Sequence, residues 1–205
     1  MLDIDGWRLS TDEFAALTGH PLQVRLDPEA LEQVRRSHAW AVRLRGERPV
    51  YGRTTGVGAN REVVVEPNVD AAQALLRSHA TAAGPLRDPA RVRALLLVRL
   101  NQLCAGGSGV SPEVVTALAD MINSDALPAV HEHTGVGTAD LAALAATALA
   151  LQEHAAAAGH DLLLGPDDAL PFLSSNAAAL ADAALGMSRF SRAARAGLAV
   201  AACPR

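Results

Sequence analysis

Apolar residues recur with a helical period over most of the 205 positions, and Gly- and Pro-rich breaks separate the periodic stretches. The opening Leu2-Asp3-Ile4-Asp5-Gly6-Trp7-Arg8-Leu9 differs. It alternates as a strand does and holds an Asp-Gly turn, which predicts a small hairpin. Thr11-Asp12-Glu13 predicts the cap of a short helix ended by Gly19. Asp27-Pro28-Glu29 starts the next, with Leu31, Val34, His38 and Val42 along one side and Gly46 as its stop. The period is lost from Pro49 to Asn60. It returns from Val69 to Ala83 and from Asp88 to Cys104, then breaks at Gly106-Gly107-Ser108-Gly109. Ser111-Pro112-Glu113 predicts the cap of a helix to Asn123, and a second irregular loop runs from Pro128 to Thr138. A long Ala/Leu helix is predicted from Asp140 to Ala157. A loop with Gly159, Gly165 and Pro166 follows, and a last helix starts at Asn176 with Arg189, Arg192 and Arg195 on one flank. No tandem repeat or disordered tract interrupts this order. The prediction is a mainly α chain with Gly-rich loops held between helices, and such loops are where chemistry is to be sought.

Composition sharpens the picture. Half of the residues are hydrophobic but only 3% are aromatic, so the core must be built from Ala, Leu and Val, which favours close-packed helices. The net charge of −4, with no acidic or basic tail, makes nucleic acid and anionic membrane poor partners. All 18 basic residues are Arg. That excludes a lysine Schiff base and a phosphate-binding P-loop lysine. Cys104 and Cys203 are too far apart in the chain to suggest a disulfide framework, which points to a reducing cytoplasm. Met1-Leu2-Asp3-Ile4-Asp5 lacks the basic start and apolar run of a signal peptide. The Ala-rich stretch from Ala139 to Ala158 carries Asp140, Gln152, Glu153 and His154, so it reads as a buried helix and not a membrane span.

Tyr51 is the chain's single tyrosine and stands in Tyr51-Gly52-Arg53-Thr54-Thr55-Gly56-Val57-Gly58. A phenol in so flexible a loop suits proton transfer, or donation to a developing charge, as well as it suits a packed turn. Arg53 would favour the phenolate where the loop turns the two together. His79, within the predicted helix, is by residue type more often a core or capping side chain than a catalyst. His131-Glu132-His133 offers two imidazoles without a clear third ligand, so a solvated loop is expected there and no metal site. Gly106-Gly107-Ser108-Gly109 lacks the strand that precedes an anion-binding turn and reads as a helix breaker. The Arg189/Arg192/Arg195 stripe reads as a solvated or intersubunit face.

In chain order these segments resemble the histidine/aromatic amino-acid ammonia-lyase family. Val50 to Gly58 is similar to that family's Tyr-Gly-x-x-Thr-Gly-x-Gly loop, and Leu75-Leu76-Arg77-Ser78-His79-Ala80 to its Leu-x-x-Ser-His-Ala helix. Val92-Arg93-Ala94 through Arg99-Leu100-Asn101, with Gly107-Ser108-Gly109-Val110, resembles its next helix and Gly-x-Ser-Gly turn. Asn123 with Pro128 resembles its Asn-x-x-x-x-Pro. Gly135-Val136-Gly137 and Asp140-Leu141-Ala142-Ala143-Leu144-Ala145 bracket the place where the family makes its electrophile. The resemblance covers nearly the whole chain, and its specificity lies in the order of the motifs. It implies an ammonia-lyase-like helical bundle with a small mixed N-terminal part, of which residues 1–205 are the N-terminal and early central portion. The implied chain is cut short by truncation, a split gene or a frameshift.

The implied function is elimination of ammonia from histidine or an aromatic amino acid, by a homo-oligomer (tetrameric in the family, with each site drawing on several subunits) or with a partner supplying the remaining half. Tyr51 would transfer the proton, His79 would orient the substrate or adduct, and Asn176 would hold the electrophile loop. No external cofactor is implied, because the family's Ala-Ser-Gly cyclises and dehydrates to a methylidene-imidazolone. Here only Thr138-Ala139 stands between Gly137 and Asp140, so either one residue is missing or Gly137-Thr138-Ala139 replaces the tripeptide. Ala139 carries a Cβ where ring closure favours glycine, and Thr138 would give a more hindered alkene. In Leu170-Pro171-Phe172-Leu173-Ser174-Ser175-Asn176, ungapped alignment puts Ser174 at the family's Asn position, and a two-residue shift puts Asn176 there. Two further readings stay open: a homologue whose chemistry needs no imidazolone, and a non-catalytic subunit or remnant that packs against a partner.

Overall fold

Ser, Asp and Asn side chains cap the starts of the first four helices of the computed structural model. The structure describes residues 1–7, 9–135, 137 and 139–203. In chain order these form β1 (Leu2–Ile4), α1 (Thr11–Thr18), β2 (Val24–Leu26), α2 (Pro28–Glu47), α3 (Val69–His79), β3 (Ala83–Leu86), α4 (Pro89–Cys104), α5 (Pro112–Asn123), β4 (His131–His133), α6 (Leu141–Ala157), α7 (Ala169–Leu173) and α8 (Ala177–Ala202). The Asp27 carboxylate accepts from the Glu29 and Ala30 amides and Pro28 opens α2, so the orphan donors of the first turn are met where proline costs nothing. Asp88 with Pro89 repeats the device at α4, and Asn68 caps α3 through the Ala71 amide. For α1 the cap is Ser10, one residue before the predicted Thr11.

α4 is the centre. Leu95, Leu96, Leu97, Leu100 and Leu103 are all fully buried, so the helix is apolar around most of its girth, as a helix surrounded by neighbours must be. It packs most extensively on α8 and also meets α5, α1 and α2. α6 buries Ala143, Leu144, Ala145, Ala148 and Leu151, and the small alanines allow close approach to α3 and α5. No helix among the described residues is long and apolar enough to cross a membrane.

Three local expectations are corrected. The N-terminus is not a hairpin: β1 pairs in parallel with β2, and α1 lies in the crossover. Gly6 is instead a docking point, at φ +82°, where a Cβ would stand 2.4 Å from the Ala105 nitrogen. The helix from Val69 stops at His79, not Ala83: the Ala80 amide closes the last turn on the Leu76 carbonyl, and the chain from Ala83 is taken up by strand pairing. Ala83–Leu86 becomes a strand, paired antiparallel with His131–His133 inside the predicted loop. The five-residue α7, too short for a period to show, lies in the segment that leads to Asn176.

Ion pairs lock this small sheet to the core. Asp182 of α8 accepts from Arg91 Nε at 2.8 Å and Nη2 at 2.9 Å, and from Arg87 Nη1 at 3.0 Å, while Arg91 also meets Glu132 of β4. Burial works against the charged form of Asp182, yet the hydrogen bond from Arg91 and the charges of Arg87 and Arg91 outweigh it and hold the carboxyl below its ordinary value. A depressed carboxyl stabilises the fold above its unfolded value of about 3.9 and loses that contribution as pH falls through the folded value. Asp182→Ala leaves the Arg87 side chain, only 8% exposed, without its carboxylate. The expected cost near neutral pH is about 2 kcal/mol, below the usual range for a fully buried pair because Asp182 is partly exposed. Thermal unfolding at neutral and acid pH checks the sign: the gap between parent and variant should close in acid.

Candidate active site

His79 closes α3, and its ring turns back along the helix, with Nδ1 at 2.9 Å from the Leu75 carbonyl oxygen. A carbonyl only accepts, so Nδ1 carries the proton and, in the neutral ring, Nε2 is left bare. A cavity of about 540 Å³ opens beside it, lined by His79, His133, Thr134, Gly137, Ala139 and Leu141, among others. The helix end, the β3–β4 pair and the loop before α6 therefore meet around one space. Thr138 of the electrophile-loop segment lies outside the described residues, and Gly137 is exposed with room for a Cβ.

Asp140 ties that loop to the chain's last helix. Its amide donates to the Ser175 carbonyl at 2.8 Å, and its Oδ2 accepts from the Ala179 amide at 2.9 Å. Asn176 stands next to this junction, exposed, and its Oδ1 accepts from Gln102 Nε2 at 3.5 Å. Gln102 Oε1 accepts in turn from the Ser175 hydroxyl and from Arg99 Nη1, so its amide nitrogen is the end left to face Asn176. Arg99 is nearly fully buried, and burial lowers its guanidinium to about 10. Ser174 is also exposed, and its amide donates to the Leu170 carbonyl, ending α7. Neither Ser174 nor Asn176 lines the His79 cavity.

Tyr51 stands apart, about half exposed, and does not line that cavity either. Its hydroxyl oxygen accepts the Gly58 amide at 2.9 Å, which leaves its own proton free to be donated elsewhere. Arg53 does not turn toward the phenol. It is buried, donating to Asp167 at 3.0 Å and to the Ser108 and Gly109 carbonyls at 3.3 and 3.2 Å. The Gly106–Gly109 turn thus serves as the seat for Arg53. Gly52 is forced by packing: at φ +68°, a Cβ there would stand 1.8 Å from Leu170 Cδ2. Nearby Asp168 accepts the Ser111 amide at 2.7 Å, and its burial raises the carboxyl although that hydrogen bond opposes the shift.

Two features escaped the sequence. His133 lines the same cavity as His79, and the Arg53–Asp167 anchor joins residues 114 apart in the chain. The first had a weak signal in the His-Glu-His spacing, and the second had none. Glu132 pairs with Arg91, and no group of three His, Cys, Asp or Glu among the described residues is arranged to hold a metal. A larger cavity, about 660 Å³, lies between α5 and the end of α6, lined by Glu113, Asp120, His154 and His160, and none of the candidate residues reaches it.

Comparison with known proteins bears on all of this geometry. The family described as aromatic amino acid lyase matches residues 9–204. The histidine ammonia-lyase of Gloeobacter violaceus is 40% identical over 169 residues, which are 80% of this chain and 33% of that protein. That of Streptomyces griseus is 34% identical over 161 residues, 77% of this chain and 31% of that protein. The crystal structure of the ergothioneine-degrading ergothionase of Treponema denticola superposes with a TM-score of 0.83 at 27% identity, covering 90% of this chain and 41% of that one. The chain therefore spans about a third of the length of these curated relatives.

Proposed function

The chain belongs to the aromatic amino acid lyase family, and from that premise we propose that it serves in the elimination of ammonia from histidine or an aromatic amino acid. The observation that carries this reading is the cavity of about 540 Å³ that joins His79 to the loop before α6. Because the chain spans a third of its relatives, further chain or neighbouring copies complete the site in this proposal. The half-exposed Tyr51 then serves a cavity closed by such a neighbour. In its deprotonated form it takes a proton from the substrate's Cβ and becomes the phenol, the freed electron pair forms the C=C bond, and the C–N bond breaks with its pair leaving on ammonia. The bare Nε2 of His79 accepts from the substrate's ammonium and orients it. Asn176, beside the Asp140–Ser175 junction, steadies the loop. We place the protein in the cytoplasm.

The family's methylidene-imidazolone, made from its own chain, supplies an electrophile when present. The residues here do not fit it. Ala139 has a Cβ where the ring nitrogen's residue needs none, and Gly137-Thr138-Ala139 offers no Ala-Ser-Gly. This mismatch favours a second reading within the same family, a homologue with imidazolone-independent chemistry.

Intact mass is expected to equal that of the unmodified sequence, with no loss of two waters mapped to residues 130–141. Incubation with a panel of histidine, phenylalanine and tyrosine, reading ammonia and the unsaturated acid, tests the activity. Release from at least one is expected. Silence across the panel, from the chain alone and from the chain with a complementing remainder of the lyase, would overturn the elimination proposal and leave a non-catalytic subunit.

A further inference from the structure

Tyr51 is held by little of its own. Its ring is about half exposed, and its one hydrogen bond among the described residues comes from the Gly58 amide of the same loop. The position of the phenol is therefore inherited from the backbone that carries it. That backbone is pinned immediately after the tyrosine. Gly52 presses on Leu170 of α7, and Arg53 runs inward until its side chain is only 5% exposed.

The Arg53 guanidinium ends in a seat built from separate parts of the chain. Nη1 donates to Asp167 Oδ1 at 3.0 Å, and Nη2 donates to the Ser108 and Gly109 carbonyls at 3.3 and 3.2 Å. The seat has no spare room: a Cβ at Gly109 would come 2.7 Å from Arg53 Nη2 and 2.6 Å from Ala41 Cβ of α2. Asp167 brings negative charge to this seat and shares it, because its Oδ2 accepts from Arg45 Nη1 in the last turn of α2. One carboxylate thus stands between two guanidiniums that repel each other without it. Asp167 is itself carried on a fixed turn. The Gly165 carbonyl accepts from the Asp168 and Ala169 amides at 3.0 and 2.9 Å, and the Asp168 carboxylate accepts the Ser111 amide, just before α5, at 2.7 Å. A buried guanidinium that loses its carboxylate is left as an uncompensated charge, and its way back to water draws the loop along with it.

We propose that Asp167 is a positioning residue: through Arg53 it fixes the loop that presents Tyr51, and Arg45 steadies Asp167 in that task. The inference rests on the reading of Tyr51 as the proton-transferring group. Asp167 pairs with the two arginines and not with the phenol, so it acts on the ring only through the backbone from Tyr51 to Arg53.

The single tyrosine supplies the probe. The full chain made with 3-fluorotyrosine carries one labelled ring, so its fluorine NMR signal reports Tyr51 alone. Asp167→Ala is expected to shift or split that signal. Asp167→Asn, which keeps the size and one acceptor but not the charge, should do so to a smaller degree. Asp182→Ala is the control, since it breaks another largely buried arginine pair and leaves the Arg53 anchor intact, and its signal should coincide with the parent's. A signal unmoved in both Asp167 variants, or moved as much by Asp182→Ala, would overturn the proposal. Kinetics add a readout that lost stability does not imitate. With ammonia release from the chain, or from the chain with a complementing remainder of the lyase, Asp167→Asn should lower kcat about tenfold at a near-parental KM, because a misplaced reacting group slows the chemistry. In the Tyr51→Phe background the same substitution should cost nothing further. An equal loss in both backgrounds would overturn the positioning role. A parental rate for Tyr51→Phe alone would remove the proton-transfer reading, while the fluorine signal would still decide whether Asp167 holds the ring.

Discussion

Replacing Phe172 by alanine should lower the free energy of unfolding by about 3–5 kcal/mol, read as a shift in the denaturant midpoint at unchanged slope. Phe172 is fully buried in α7, in a chain whose few aromatic residues are otherwise mostly exposed or near the ends. A core of Leu and Ala has no large neighbour able to refill the space of a ring, so the cavity term is kept nearly whole. A second loss adds to it. The Arg99 guanidinium stands over the ring at 5.6 Å from its centroid, and its hydrogen-bond partners among the described residues are the Gln102 side chain and the Pro171 carbonyl, with no carboxylate. Its Nε is already without a hydrogen bond. The quadrupole of the ring is therefore part of what makes a buried cation tolerable. Phe172→Leu separates the two effects: it restores most of the volume but not the ring, and should cost about 1–2 kcal/mol. A leucine variant as unstable as the alanine one would show that the cation dominates. An alanine variant within experimental error of the parent would show that α7 is not part of the cooperative core.

The helices were legible because their causes are local. Asp27-Pro28, Asp88-Pro89 and Ser111-Pro112 each mark a start within one residue, and the apolar period carried the order of the long helices. What was not legible depends on partners far along the chain. Asp5-Gly6 has the composition of a hairpin turn, and only the Ala105 backbone pressed against Gly6 decides otherwise. β3 and β4 are short strands over residues 83–86 and 131–133, neither with enough length to alternate, and pairing alone defines them. The same holds at the site. The resemblance implied for His79 only a role in orienting substrate or adduct, and in the structure His79, Gly137 and Ala139 line one cavity. His133 reaches that cavity through the β3–β4 register, which no spacing rule encodes. Arg53, two residues from Tyr51, was read as a partner for the phenol. Asp167 and two carbonyls of the Gly106–Gly109 turn take it instead, since a buried guanidinium needs several acceptors and the phenol offers one.

Tyr51→Phe should reduce the rate of ammonia release by on the order of a hundredfold, the scale of a lost proton-transfer group, equivalent to about 2.7 kcal/mol of barrier. The substitution removes one hydroxyl and little else. That hydroxyl accepts a single hydrogen bond, from the Gly58 amide, at an exposed position, so the fold should lose less than about 1 kcal/mol. The loop's shape does not depend on it: the Arg53 and Thr54 amides still donate to the Val50 carbonyl, and Arg53 still anchors to Asp167. A drop in rate at unchanged unfolding midpoint therefore assigns the effect to chemistry. The split between constants is informative as well. Tyr51 lies outside the cavity that holds the proposed His79 contact to the amino acid, so kcat should fall while KM stays near the parental value. A fall in KM-dependent binding with kcat kept would mean that the phenol packs against substrate. A rate near that of the parent would remove Tyr51 from the mechanism and leave His79, with its bare Nε2, as the only base the cavity presents among the residues proposed here for catalysis.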